Sequence, residues 1–323
     1  MPGELENLGC SHPLLLSDHV LAKIGTLAIV QDALLAGQMP ADTIFTDIPA
    51  DSSSDVVNEI ARFYRKSKCD GLVAIGGGSV IDTAKGVRML LSQDVSDIME
   101  LMGCEGIKRG RQVPFVIIPT TSGTGSESTL VAVIKDTQRE VKMEFISYYL
   151  QPDVAVLDPR MTQSLPPRMT ASARLAMANA SMMAGAAFSN SMVGIVHAIG
   201  HSLGAVCHVP HAEAMSILLP FCMEYNMDLL SEDYGLLLLY LTDEDTFAQT
   251  PHQERALRSI QAVRDMCSTL NRLCGLPLTL RDVNIQPEDF ERVAQGAIND
   301  GAMIVNPKQA GVEDVVGVLK KAW

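Results

Sequence analysis

The first half of the chain alternates short apolar runs with amphipathic segments. Five apolar runs have the length and composition of buried strands in a parallel sheet. They are Pro13–Asp18, Asp42–Ile48, Gly71–Ile75, Pro114–Pro119 and Asp153–Asp158. Between the second and third runs, Ser53–Ser67 places Val57, Ile60 and Tyr64 on one helical stripe. Alternating strands and helices predict a doubly wound, Rossmann-like α/β domain.

The second half of the chain has helical periodicity and few β-branched runs. A predicted hairpin, formed by Leu130–Asp136 and Glu140–Tyr149, precedes the change at Pro159. Six helices are then predicted: Leu175–Ala187, Met192–Val206, Glu213–Tyr225, Glu254–Leu273, Pro287–Gln295 and Val312–Ala322. The fold class is therefore α/β plus all-α, with an α/β domain over residues 1–159 and a helical domain over residues 160–323.

Composition and charge exclude some partners. The formal charge of −13 argues against nucleic acid, because binding a phosphate backbone needs a basic face. Seven scattered cysteines without a Cys-x-x-Cys pair suggest reduced thiols and a cytoplasmic protein. Leu175–Ala212 carries no Asp, Glu, Lys or Arg, but serines, asparagines and glycines interrupt it. We interpret it as a buried helical core and not as a membrane span.

Two loops that follow strands are candidates for binding phosphate. The stretch GLVAIGGGSVID, from Gly71 to Asp82, runs from a strand through three glycines to a helix start. Such a turn lets backbone approach a phosphate at the helix N-terminus, although a simple tight turn is the alternative. Ser79 and Asp82 have the spacing of a capping box, which predicts where that helix begins.

The second loop, PTTSGTGSE from Pro119 to Glu127, also follows a strand directly. By itself it is equally typical of a polar surface loop. Two such loops at the ends of neighbouring strands favour a dinucleotide, because ligands of open α/β sheets lie beyond the carboxyl ends of the strands. Asp18 ends the first run, where an acid accepts hydrogen bonds from the adenosine ribose hydroxyls.

Histidines concentrate in the stretch VHAIGHSLGAVCHVPHAEA, from Val196 to Ala214. It contains four of the seven histidines in the chain: His197, His201, His208 and His211. Clustered imidazoles are typical of a metal centre, but ordinary core or surface histidines give the same pattern. The spacing alone leaves both interpretations open.

Four stretches together resemble the iron-containing, or group III, alcohol dehydrogenase family. They are GGGSVIDTAKG, PTTSGTGSE, the histidine stretch and the ending NPKQAGVEDVVGVLKKAW. They occur in the order that the family has. The resemblance implies the dehydroquinate synthase-like fold, in which an N-terminal dinucleotide-binding domain and a C-terminal helical domain hold NAD(P) and a divalent metal in the cleft between them.

The resemblance also implies roles for individual residues. The pyrophosphate would be held by Gly77, Gly78 and Ser79, and the phosphate and nicotinamide end would be lined by Thr120, Thr121, Ser122 and Thr124. Asp18 matches the acid that binds ribose and favours NAD over NADP, and Lys142 matches a lysine near the cofactor. His197 and His211 match two metal ligands, and His201 matches a catalytic histidine proposed for proton relay. His208 matches no ligand and is expected at a helix end.

The match fails where the helical domain of the family begins. The family has a stretch like T-G-x-D-A-L-x-H there, whose Asp and His supply the other two metal ligands, whereas this chain passes from Leu165–Ala173 directly to Arg174. Two imidazoles alone bind a divalent ion weakly. Three explanations are open: the protein has a further segment at this point, the chain is deleted and catalytically silent, or Glu213 or His208 completes a rearranged site.

The sequence therefore predicts a cytoplasmic enzyme that transfers hydride between a primary alcohol or aldehyde and nicotinamide. It would use NAD and Fe²⁺ or Zn²⁺, with a small alcohol or aldehyde as its substrate. A homodimer or larger homo-oligomer is expected from the resemblance, without a nucleic-acid or membrane partner. The alternative is a nucleotide-binding but catalytically silent interaction or assembly subunit.

Overall fold

The computed structural model describes residues 1–103, 107, 110, 112–139, 141–163 and 171–323. Cys104, Glu140 and the stretch 164–170 lie outside the described residues. The six described cysteines are free thiols. Within the described ranges, no single helix is both long and apolar enough to cross a membrane, although two consecutive helices, 171–191 and 195–207, would pass by length and composition if taken together.

The described chain divides into two compact units, Met1–Ser191 and Met192–Trp323. The first contains seven strands: β1 Pro13–Leu16, β2 Ile44–Phe45, β3 Gly71–Gly76, β4 Phe115–Pro119, β5 Val131–Asp136, β6 Val141–Ile146 and β7 Val154–Ala155. Its helices are α1 Pro2–Asn7, α2 His19–Lys23, α3 Thr26–Ala36, α4 Ser54–Lys66, α5 Gly78–Gln93 and α6 Ala171–Ser191. The domain limits at 159 and 160 stay a prediction; helix α6 belongs to the first compact unit.

The five predicted strands form one parallel sheet in the order β2-β1-β3-β4-β7. Alternate residues of the central strands enter two separate cores. In β3, for example, Leu72 and Ala74 pack in the core that contains α4 and α5, whereas Val73 and Ile75 pack in the core that contains α3. Both faces of the sheet are therefore covered, and the prediction of a doubly wound sheet is confirmed.

The predicted hairpin is also present. Strands β5 and β6 pair antiparallel as a separate two-stranded sheet. Ala132 and Ile134 of β5 pack in the same core as α4 and α5. The amide of Lys135 also donates to the carbonyl of Ser52 at 2.8 Å, so packing and this backbone bond attach the hairpin, which is not paired with the main sheet.

The second unit is helical, as predicted. Its helices are α7 Ile195–Cys207, α8 His211–Leu241, α9 Glu244–Gln249, α10 Arg255–Cys274, α11 Phe290–Ile298, α12 Gly301–Ile304 and α13 Val312–Ala322. Helices α7, α8, α11 and α13 share one apolar core, and α8 and α10 share a second. Helix α8 runs well beyond its predicted end at Tyr225, with Pro220 inside it and a non-helical backbone at Leu230.

Candidate functional site

The glycine-rich turn lies at the carboxyl end of β3, as predicted. Gly76 is the last residue of the strand, Gly77 is the N-cap of α5, and the helix begins at Gly78. The predicted capping box is wrong, because Ser79 lies inside the first turn and no side chain caps this helix. The free N–H groups of α5 therefore remain available to an anion.

The second loop lies beside the glycine-rich turn. The amide of Thr120 donates to the carbonyl of Gly76 at 3.0 Å, which extends the pairing of β3 with β4. A Cβ added at Gly77 would lie 3.3 Å from Cγ2 of Thr121, and one added at Gly78 would lie 3.4 Å from Cγ2 of Thr124. The glycine-rich turn and the second loop, which the sequence predicted to share a ligand, therefore lie within contact distance of each other.

Ser122 has a buried hydroxyl oxygen without a hydrogen-bond partner among the described residues. A buried polar atom without a partner is costly, so such an atom indicates a ligand or a water. Its position between Thr121 and Thr124, beside an uncapped helix N-terminus, suits a ligand rich in acceptor oxygens. The residues in this part of the chain therefore fit the phosphate end of a dinucleotide.

Asp18 and Lys142 have partners within the first unit. Asp18 follows β1 as the N-cap of α2, and its Oδ1 accepts the amide of Leu21 at 2.8 Å. Lys142 lies on β6, where its Nζ is 3.0 Å from Oδ1 of Asp51. The hydroxyl of Ser79 donates to the carbonyl of Ala50, next to Asp51. Lys142 and Ser79 therefore contact neighbouring residues, Asp51 and Ala50, while a role of Lys142 toward a cofactor stays a prediction.

A buried charged network, which the sequence analysis missed, supports the second loop. Lys85 is completely buried in α5 and donates from Nζ to the carbonyl and hydroxyl of Thr129, at 2.8 and 2.6 Å, and to the carbonyl of Val131 at 2.8 Å. Asp82, one turn earlier, accepts the hydroxyl of Ser126 at 2.8 Å. The only sequence signal was the spacing of Asp82 and Lys85 on one helix face.

Burial and the neighbouring charges shift the pKa values of this network in opposite directions. Burial lowers the pKa of Lys85 to about 8, while Asp82 and the buried Glu127 act to raise it. Burial raises the pKa of Asp82 and of Glu127, and the charge of Lys85 acts against both shifts. The three groups therefore depend on one another to remain charged below the surface.

Three of the four clustered histidines converge in the second unit. His197 and His201 lie one turn apart on α7, and His211 is the first residue of α8. The ring centres are 5.8 Å apart for His197 and His201, 5.6 Å for His197 and His211, and 5.6 Å for His201 and His211. His208 is instead the exposed C-cap of α7, with a left-handed backbone at φ +59°, as its predicted place at a helix end requires.

Buried contacts fix helix α7, which carries two of these rings. Asn306, in the NPK motif, accepts the amide of Ile195 at 3.2 Å and so caps the helix start. A Cβ at Gly194 would lie 2.8 Å from Oδ1 of Asn306, so this approach needs glycine. Further along, the hydroxyl of Ser202 donates to the carbonyl of Val293 at 2.7 Å. The position of the histidine pair is therefore set by the fold of the second unit.

Asp300 is a site residue that the sequence analysis missed. Its Oδ2 lies 3.0 Å from Nδ1 of His201, and its Oδ1 accepts the amide of Ala302 at 2.8 Å as the N-cap of α12. The sequence offered one signal, since Asp300 is the last acid before the NPK motif.

Burial lowers the pKa of His197 to about 4, and the neighbouring His201 and His211 act in the same direction. The ring of His197 is therefore neutral at pH 7, as a metal ligand must be.

Comparison with known proteins identifies the family. A model of the iron-containing alcohol dehydrogenases matches residues 1–159. A model of the C-terminal part of the Fe-containing alcohol dehydrogenase family matches residues 160–323. The chain belongs to the iron-containing alcohol dehydrogenase family. The resemblance stated from the four motifs is confirmed.

Similar proteins within the family span nearly the whole chain. Lactaldehyde reductase of Escherichia coli (strain K12) is 29% identical over 367 aligned positions, which cover 99% of this chain and 94% of that protein. NAD-dependent methanol dehydrogenase of Bacillus methanolicus is 28% identical, with 98% and 94% covered. The crystal structure of a 1,3-propanediol oxidoreductase covers 100% of this chain and 95% of its own at 24% identity, with a TM-score of 0.91. That likeness confirms the predicted iron alcohol dehydrogenase fold.

This member of the family is shorter than the relatives it matches. The alignment with lactaldehyde reductase has 367 positions and this chain has 323 residues, so at least 44 positions have no counterpart here. The absence of a segment with two metal ligands, one of the three explanations left open by the sequence, would account for such a difference, although helix α6 runs without a break across Ala173 and Arg174. Whether a metal fits therefore depends on the residues that the chain still has.

The clustered imidazoles offer donors of a kind that a divalent ion accepts, but the nitrogens of these described rings do not converge as a set of three. Their ring centres are 5.6–5.8 Å apart, but among the described residues one nitrogen from each ring does not bring all three within 4.8 Å of one another. Nitrogen donors of this kind suit both zinc and iron. The type of donor therefore fits the metal that the family name implies, whereas the described residues do not form a three-imidazole set around one ion.

Proposed function

We propose that this protein is an NAD-dependent, metal-dependent alcohol dehydrogenase or aldehyde reductase, which transfers hydride between a primary alcohol or aldehyde and nicotinamide. The single observation that carries the proposal is the triangle of imidazoles formed by His197, His201 and His211. It occurs in a chain whose two halves both match iron-containing alcohol dehydrogenases. Similar proteins reduce lactaldehyde or depend on NAD, as their names state.

The first unit would bind the dinucleotide. The N-terminus of α5, with Gly77, Gly78 and Ser79, offers amide donors and a positive dipole end to the pyrophosphate. Thr120, Thr121, Ser122 and Thr124 add side-chain donors to the same place, and Lys142 adds a positive charge near Ser79. Asp18 would accept the ribose hydroxyls and repel a 2′-phosphate, which favours NAD over NADP.

His197 and His211, the two ligands that the family resemblance implies, would hold a divalent ion, iron or zinc. Such an ion supplies Lewis acid chemistry, because its charge polarises a carbonyl or stabilises the oxygen of an alcohol that loses its proton. The neutral ring of His197 offers the lone pair that this binding needs. The hydroxyl proton would pass to His201, the residue to which the family resemblance gives this role.

Two measurements test this function in sequence. NADH fluorescence, titrated with the protein, measures binding of the dinucleotide. Oxidation of NADH in the presence of an aldehyde is then followed with metal-depleted protein before and after addition of Fe²⁺ or Zn²⁺. We expect NADH binding without metal and turnover only with metal; lack of NADH binding would contradict the proposal.

The silent-subunit alternative is favoured by one observation, the alignment positions that this chain lacks. Such a protein would keep the two phosphate loops and carry no catalytic metal. It predicts normal NADH binding and no aldehyde-dependent oxidation with either metal. The second measurement therefore separates the two functions.

A further inference from the structure

We infer that Asp82 and Ser126 are positioning residues for the dinucleotide, which together orient the hydroxyl of Thr124 toward a phosphate oxygen. The inference rests on the proposed function, because it concerns the pyrophosphate of the same ligand. It goes beyond the binding residues that the resemblance implies, because neither Asp82 nor Ser126 is among them.

The loop Pro119–Glu127 has an open part and a buried part. Gly123 and Thr124 are exposed to solvent, whereas the three residues that follow them are buried. A side chain that binds a ligand is held precisely when packing and hydrogen bonds behind it lock its position. The hydrogen bonds of the buried part are therefore expected to decide where the hydroxyl of Thr124 lies.

Two hydrogen bonds in series connect helix α5 to Thr124. The hydroxyl of Ser126 donates to Oδ1 of Asp82 at 2.8 Å, and the amide of Ser126 donates to Oγ1 of Thr124 at 3.3 Å. A hydroxyl has two lone pairs and one hydrogen, so an oxygen that accepts an amide keeps its own hydrogen for a further acceptor. Thr124 is therefore prepared to donate a hydrogen bond, as a phosphate oxygen requires.

Asp82 is held through both of its carboxylate oxygens. Its Oδ2 accepts the amide of Val133 on β5 at 3.1 Å, so the carboxylate cannot rotate without losing one of its two hydrogen bonds. Burial raises the pKa of Asp82, and the charge of Lys85 on the next turn acts to lower it. An ionised carboxylate is the stronger acceptor, because charge-assisted hydrogen bonds are roughly twice as strong as neutral ones. Asp82 therefore gives the hydroxyl of Ser126 a fixed direction.

Helix α5 offers its own donors at the same place. The helix begins at Gly78 without a side-chain cap, and a Cβ added at Gly78 would lie 4.0 Å from Oγ1 of Thr124. Amides at a helix start and a hydroxyl beside them can bind the oxygens of one pyrophosphate. Because Asp82 belongs to the same helix, its hydrogen bond to Ser126 keeps the donor of the loop aligned with the donors of the helix.

Binding of NADH and of ADP to the full chain tests this inference without reference to activity. ADP carries the pyrophosphate but no nicotinamide; fluorescence measures the dissociation constant of NADH, and calorimetry that of ADP. Ser126→Ala removes the hydrogen bond to a charged group, and Asp82→Asn leaves one acceptor oxygen where there were two. We expect each change to weaken both ligands ~10-fold. Thr124→Val, which removes the donor itself, should weaken both ligands at least as much.

Ser128→Ala is the matched control. It removes another hydroxyl of the same segment, which donates to backbone carbonyls and not to Asp82. We expect it to change either dissociation constant by less than ~2-fold, as for substitutions away from a binding contact.

A double variant separates positioning from a general loss of stability. If Ser126 acts through Thr124, adding Ser126→Ala to Thr124→Val should weaken NADH by less than a further ~2-fold, whereas independent effects would multiply to ~100-fold. The thermal midpoint of every variant shows whether it is folded. Should Asp82→Asn fail to fold, the variants of Ser126 and Thr124 carry the test.

Three outcomes would each overturn this inference and leave the proposed function standing. They are an unchanged affinity of Ser126→Ala for both ligands, a loss for NADH without a loss for ADP, and multiplied losses in the double variant. Failure of the natural protein to bind NADH would instead contradict the proposed function, and this inference with it.

Discussion

The hydroxyl of Ser126 donates a 2.8 Å hydrogen bond to Oδ1 of Asp82 and thereby joins the loop Pro119–Glu127 to helix α5. The other carboxylate oxygen of Asp82 accepts the amide of Val133 on strand β5 at 3.1 Å. Lys85, on the next turn, reaches Thr129 beyond the same loop. The loop that is proposed to hold the dinucleotide is therefore held in place by buried charged groups, of which Asp82 contacts the loop directly through Ser126.

The first prediction concerns Lys85→Met. The change keeps most of the side-chain volume but removes the cation from buried carboxylates, and breaking a buried charge set from one side costs about 3 kcal/mol. Urea unfolding should show this loss of stability. Ser92→Ala, a buried position on the same helix whose hydroxyl donates to the carbonyl of Met89, should cost less than about 1 kcal/mol.

A double variant tests the cause of that loss. Lys85→Met combined with Asp82→Asn leaves fewer unpaired charges, so it should be more stable than the sum of the two single changes predicts. If Lys85→Met alone costs less than about 1 kcal/mol, the charged network does not support the loop as described.

The second prediction concerns two glycines of the same loop. Gly125 has φ +61°, and an added Cβ would lie 2.4 Å from the carbonyl of Ser181 and 2.9 Å from Cα of Gly185, both on helix α6. Gly125→Ala should therefore cost about 3 kcal/mol, from backbone strain and overpacking together. Gly123 has no atom within 4 Å of such a Cβ, so Gly123→Ala should change the unfolding free energy by less than about 0.5 kcal/mol. Equal effects of the two changes would refute this account.

Local patterns predicted the elements well and the long-range partners poorly. Strand β3, Gly71–Gly76, could be predicted from an apolar run in the sequence. Both of its faces are covered, so its residues do not alternate between polar and apolar. The proposed capping box failed because Asp82 is committed to Ser126, which lies 44 residues away. Asp300 was missed for the same reason, since its partner His201 is 99 residues away. Side-chain pairs of this kind depend on tertiary packing, which a spacing rule does not contain.

The third prediction concerns selection of the dinucleotide. Asp18→Ser removes the charge proposed to exclude a 2′-phosphate, while serine remains a good N-cap for α2. Because a hydrogen bond to a charged group contributes about 1.5–3 kcal/mol, NADH should bind ~10-fold or more weakly. NADPH should bind more tightly than it does to the natural protein. Fluorescence titrations with both dinucleotides measure the ratio, and an unchanged ratio would rule out this role for Asp18.

The last prediction concerns the pH dependence of stability at Asp70. Its carboxylate accepts the amide of His12 at 2.7 Å and the hydroxyl of Ser11 at 2.6 Å, which joins the segment before β1 to the segment before β3. Partial burial acts to raise the pKa of Asp70, but hydrogen bonds from Ser11, Cys10 and His12 outweigh it and lower the pKa to about 2. The group therefore stabilises the fold when it is charged.

Because the folded pKa lies below the unfolded one, this stabilisation is complete above about pH 4 and is lost as the pH falls toward 2. Asp70→Asn should cost about 1–2 kcal/mol at pH 7, allowing for solvent at this partly exposed group. Urea unfolding at pH 7, 4 and 2.5 should show the difference between variant and natural protein shrinking at the lowest pH. Asp32→Asn, an exposed change on α3, is the control for the loss of one carboxylate. A difference for Asp70→Asn that stays constant with pH would mean that the hydrogen bonds stabilise the fold equally when the carboxyl is protonated.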